Sequence, residues 1–191
     1  MENRNVLTMG KQKWEYIVAS AALVLFAVFM RLIPHIPNVT PLGALALFSG
    51  ISIPGFGFLL PLFALLISDV FLGFHATMPY VYGSFLIIGG MGYFLRKKVS
   101  PLFIAGASVL SSLIFFIVTN FGVWFTSSLY EKSLNGLTKC YVMGLPFFRN
   151  TLIGDLFYSF IFFLGYRIIK SVVVLMLPSR LKRERHVGNT V

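Results

Sequence analysis

The sequence predicts an all-α, polytopic membrane protein: a six-helix transmembrane bundle with its N-terminus and C-terminus both cytoplasmic. Three observations predict it. Of 191 residues, 57% are hydrophobic and 12% charged, about half the roughly 25% charged share of a soluble domain. The polar skin of a globule cannot be assembled from such a chain, which also carries 21 Phe. Six apolar runs are separated by turn residues and short charged clusters. The net charge of +10 comes from Lys and Arg gathered in those clusters, a pattern that signals topology rather than a nucleic-acid surface. Residues 1–191 therefore read as a single integral membrane domain in the inner (cell) membrane, with no nucleic acid among its partners.

The first run, Trp14 to Ile33, can cross a roughly 30 Å hydrocarbon core at about 1.5 Å per residue. It exceeds a signal-peptide core, and Arg31, Pro34 and His35 follow it instead of an A-x-A cleavage site, so it is expected to stay as an anchor. The second run, Pro41 to Ile53, offers only some 20 Å of helix, which suits a re-entrant segment as well as a span. Thr40 is placed to cap it, with Pro41 as its first residue. Pro54, Gly55 and Gly57 then read as a tight cytoplasmic turn. It overlaps the third run, Phe56 to Leu72, and the fourth follows from Tyr80 to Leu95.

The fifth run, Pro101 to Phe125, pairs Ala107 with Ser111 and Ser108 with Ser112 at helical spacing, a surface for close helix packing. The sixth, Leu145 to Leu177, has Pro146 in its first turn and Pro178 as its stop. A basic tail over 178–191, with Arg180, Lys182, Arg183 and Arg185, is expected in the cytoplasm against anionic lipid. Charge arbitrates the doubtful second segment. Six spans put twelve Lys and Arg inside and four outside, whereas a re-entrant second segment would put six inside and ten outside. The positive-inside rule prefers six.

Ionisable groups inside a bilayer cost about 2.5–3.5 kcal/mol each, so each needs a partner, a cavity or a task. Here they collect in the outer half. Arg31 ends the first helix, Asp69 lies about one turn before the end of the third, and Asp155 lies about two and a half turns into the last. Arg149 and Asn150 begin that last helix, and Asn120 and Trp124 share a face of the fifth. His35 and Asn38 occupy the first outer loop and His75 the second, with Tyr82 after it. Polar groups from at least five segments thus converge on an outward pocket suited to a small solute. Arginines there would hold an anionic group, the aspartates would orient them or accept from ligand N–H groups, and Trp124 would stack on a ring. The same groups also admit a plainer role as headgroup contacts, an aromatic belt and helix-tying pairs.

The chain has no G-x-x-x-x-G-K-[ST], no H-E-x-x-H and no G-x-S-x-G, so neither P-loop ATP hydrolysis nor those hydrolytic chemistries are expected. One cysteine, Cys140, excludes an intramolecular disulfide or a thiolate cluster. No metal or cofactor is expected and no enzymatic activity. Two alternatives use the aspartates. Asp69 and Asp155 could couple solute movement to protons in a small secondary carrier. They could also form an intramembrane aspartyl protease dyad, although Leu152 replaces the first glycine of G-x-G-D before Asp155.

The segments Arg31–Pro41, Ser68–His75, Thr119–Trp124 and Pro146–Asp155 resemble an uncharacterised family of bacterial transport proteins. That family is in turn similar to the substrate-binding S components of energy-coupling factor (ECF) vitamin transporters. The resemblance implies a six-helix protein that captures a vitamin-like solute outside and works with a transmembrane coupling protein and two ATPases. It further implies that loops after the first and third helices, Pro34 to Thr40 and Phe74 to Pro79, close the site. The first helix lacks the A-x-x-x-A spacing that S components often present to the coupling protein.

Overall fold

The computed structural model describes residues 2–96 and 99–176. Lys97, Lys98, Pro178 and the basic tail lie outside the described residues. Every regular element within them is helical: α1 Glu2–Leu32, α2 Leu42–Ser52, a 3₁₀ turn Gly57–Leu59 running into α3 Leu60–Leu72, α4 Met78–Phe94, α5 Pro101–Thr126 and α6 Leu134–Met176. Prolines start three of these helices, in the first turns of α3, α4 and α5, where a missing N–H costs nothing. Ser100 caps α5 by accepting from the Phe103 N–H at 3.2 Å.

Two expectations about helix ends are corrected. α2 starts at Leu42 with Pro41 at its N-cap and no side-chain cap, so Thr40 does not cap it. The last helix starts at Leu134, not at Leu145, and Pro146 lies inside it. The extra turns form because they pack back along α5. The Tyr141 hydroxyl donates to the Ile117 carbonyl at 2.8 Å, and Cys140 Sγ lies 3.4 Å from the Asn120 carbonyl. Asp155 consequently stands about six turns into α6 rather than two and a half.

Three helices, Trp14–Leu32, Pro101–Thr126 and Leu134–Val172, are long and apolar enough to cross a membrane. α2 and α3, at about 16 and 20 Å, are shorter than a roughly 30 Å core. The exterior agrees with lipid contact. Phe29, Phe63, Phe71, Leu102, Phe157 and Phe160 are exposed, while Ser49, Ser68, Ser84, Ser111, Asp69 and Asp155 are buried. These buried serines bond into the helix backbone, as Ser49 does to Leu45 and Ser111 to Ala107, which satisfies their hydroxyls within the helix. This is a membrane protein's distribution of surfaces.

α2 is the hub. Residues Leu42 to Ile51 are all buried, and the helix touches every other helix. It meets α4 closely because Gly50 and Gly92 face each other's backbones, where a methyl on Gly92 would press on the Leu47 carbonyl. Ala107, Ser108, Ser111 and Ser112 are buried where α5 packs on α6. The Ser108 hydroxyl donates to Ser159 Oγ across that contact at 2.8 Å.

Candidate functional site

A cavity of about 330 Å³ sits where the end of α1, the 33–41 segment, the first turn of α2 and the end of α3 meet α4, α5 and α6. Its polar lining comprises Arg31, His35, Asn38, Thr40, His75, Thr151 and Asp155. Its apolar walls include Leu42, Leu65, Val81, Phe85 and Phe115. The two rings, Phe85 and Phe115, pack at 5.1 Å between centroids.

Arg31 reaches the cavity because α1 buries a stripe, Val24, Ala27 and Val28, that continues one turn on to Arg31. Its guanidinium pairs with Asp69 Oδ1 and donates to Ser68 Oγ. Asp69 is 1% exposed and lies behind the cavity wall. Its other oxygen accepts from the Tyr82 hydroxyl at 2.9 Å. The charge of Arg31 is thus answered from within the protein.

Asp155 is engaged differently. It is 2% exposed and has no cationic partner among the described residues. The Ser112 hydroxyl donates to its Oδ2 at 2.7 Å, and the Ala44 backbone N–H faces the carboxylate. Gly43 lies directly beneath it, so that a methyl there would land on the carboxyl group. Asp155 of α6 therefore caps α2, satisfying open N–H groups and meeting the positive end of the helix dipole. The two aspartates share no hydrogen-bond partner.

One face of α6 serves both cavity and loop. Thr151 and Asp155, one turn apart, line the cavity. Asn150 and Gly154, the adjacent pair, support the 33–41 segment: Asn150 Nδ2 donates to the Pro37 carbonyl at 3.0 Å, and Gly154 packs on Val39. Asn38 holds the turn with φ 64°, a backbone region that Asn tolerates. At the rim, His35 Nδ1 lies 2.7 Å from the Ile33 carbonyl, and His75 Nδ1 lies 2.8 Å from the Thr77 hydroxyl.

The remaining residues expected in the pocket sit elsewhere. Arg149 is exposed on α6 and outside the lining. Asn120 bonds back to the Phe116 carbonyl and packs on Gly144. Trp124 donates to the Glu131 carbonyl at 2.9 Å, with the Lys132 ammonium 5.5 Å from its ring, which fastens the α5–α6 connection. Sequence reasoning missed Gly43 and Thr151, and it took Ser112 for helix packing rather than for the donor to Asp155. Thr151 had a signal in its one-turn spacing from Asp155, whereas Gly43 and Ser112 are recognisable only once α2, α5 and α6 are assembled.

A family model described as "Family of unknown function (DUF6580)" matches residues 11–179. No curated protein and no solved structure matches the chain.

Proposed function

The chain belongs to the DUF6580 family of unknown function, and we propose that it is a membrane transport protein, the substrate-binding subunit of an importer. It takes a small solute from the outer side of the inner membrane. In this reading the chain spans six times with both termini cytoplasmic. α2 crosses as the sheathed centre of the bundle, with the 33–41 and 53–59 segments dipping to meet its ends.

The observation that carries the reading is the cavity. It combines a buried carboxylate, a guanidinium and two histidines with apolar and aromatic walls, at about 330 Å³, within the roughly 300–1,000 Å³ of small-molecule sites. The proposed solute-contacting residues are Arg31, His35, Asn38, His75 and Asp155, with Asp69, Tyr82 and Asn150 positioning them. Without a P-loop of its own, the subunit would draw on a separate coupling protein and ATPases, as the resemblance to ECF S components implies. Membrane lipid is its other partner.

The protease alternative loses support from the separate engagement of the aspartates. A protease dyad shares one proton between two carboxyls, whereas Asp69 is held by Arg31 and Tyr82 and Asp155 by Ser112. Native mass spectrometry of the gently extracted full chain tests the proposal. A small molecule bound at one per chain, and lost in Thr151→Leu, which fills the cavity, is the expected result. A folded chain that never carries or accepts a small molecule would overturn it.

A further inference from the structure

We infer that the cavity selects a cationic solute, one carrying a protonated nitrogen such as an ammonium or amidinium on a compact apolar or planar body. This deepens, and rests on, the reading of the cavity as a solute site. The charges that count are those of the carboxylates and guanidinium at the cavity, with His35 and His75 standing apart at the rim on the Ile33 carbonyl and the Thr77 hydroxyl. Arg31 contributes one positive charge, and Asp69, bonded to it through the wall, cancels that charge. In its carboxylate form, the form a bound cation stabilises, Asp155 contributes a negative charge with no cationic partner among the described residues. The first turn of α2 offsets it by about half an elementary charge. Arg149, which could have balanced it from the same helix, is exposed and outside the lining. The cavity is left with a negative floor.

Hydrogen-bonding capacity points the same way. An ionised carboxylate offers about four lone-pair positions. At Asp155 the Ser112 hydroxyl and the Ala44 N–H take two. The remaining positions belong to a group that is 2% exposed, and no other side chain among the described residues supplies them. A ligand N–H pair would fill them, while a ligand carboxylate or phosphate would meet like charge. Phe85 and Phe115 also line the cavity, and aromatic rings attract a planar cation.

Thermal stability of the detergent-purified full chain is the readout, titrated with two matched probe series. These are benzamidinium, benzamide and benzoate, and cyclohexylammonium, cyclohexanol and cyclohexanecarboxylate. The cationic member of at least one series is expected to half-saturate at about tenfold to a hundredfold lower concentration than its neutral and anionic isosteres. Asp155→Asn should erase that preference, while Arg149→Gln should leave it. The wild-type series decides the matter even where Asp155→Asn does not fold. Preference for the neutral or anionic probes, or cation binding that survives in folded Asp155→Asn, would overturn the charge assignment and leave the solute site standing. A co-purified solute without a basic nitrogen would do the same. Failure of all six probes together with absence of any co-purified solute would overturn both.

Discussion

Arg31 and Asp69 form the one ion pair among the described residues, with Asp69 fully enclosed behind α1 and α4. Asp69 is sealed from water and Arg31 is only 15% exposed, so removing one leaves the other poorly compensated. Asp69→Asn and Arg31→Gln are each expected to lower unfolding stability in detergent by about 3–5 kcal/mol. The double change Arg31→Met with Asp69→Leu should cost less than the sum, because no charge is left unpaired. Additive losses, or no loss, would show that the pair is not buried as described. These charges were legible in the sequence because an arginine or aspartate in an apolar run stands out against the cost of placing it there. Their partners were not. Ser68 and Tyr82 are ordinary residues whose roles depend on which helix face meets which, and Arg149 differs from Arg31 only in pointing away from the bundle.

α2 shows why a helix of 11 residues can stand inside the bundle. A short helix has the same open N–H and C=O groups at its ends as a long one, and lipid offers them nothing. Neighbouring helices answer both ends with charge. Asp155 meets the N-terminal turn, and Arg96 donates to the Gly50 and Ile53 carbonyls at 2.9 and 2.7 Å beyond the other. The signs complement the helix dipole. Because Leu42 and Gly43 of its first turn line the cavity together with Arg31 and Leu72 at the ends of α1 and α3, the N-terminus of α2 forms part of the cavity wall. Arg96→Ala should destabilise by about 1–3 kcal/mol per stranded carbonyl, and Gly43→Ala by about 1–3 kcal/mol through collision with Asp155. Gly83→Ala, where a methyl meets nothing within 4 Å, should be neutral or slightly stabilising. Equal effects of the three in a thermal melt would contradict this account of α2. The length of α2 was legible from its bounding prolines and glycines. Its caps were not, since Asp155 and Arg96 lie far along the chain, and the apolar pattern starts the last helix at Leu145 because its earlier turns are stabilised by packing on α5 rather than by apolarity.

At the scale of the whole molecule, apolar faces turned outward and polar groups turned inward express the composition from which the membrane location was read. Helical class and the five inner polar positions Arg31, Asp69, Ser108, Ser112 and Asp155 follow from hydropathy and spacing. The shape of the cavity does not, because it depends on how far each short helix reaches. Its direction is the central claim: the end of the bundle holding Arg31, His75 and Asp155 faces outward, and the end holding Arg96 and the Phe56 turn faces the cytoplasm. Single-cysteine labelling in intact cells, in a Cys140→Ser background with a membrane-impermeant maleimide, tests this most directly. His75→Cys at the cavity rim should label from outside, and Phe56→Cys, at a residue 77% exposed, should label only after the membrane is opened. Labelling of Phe56→Cys from outside with protection of His75→Cys would invert the molecule and contradict capture of a solute from the outer side.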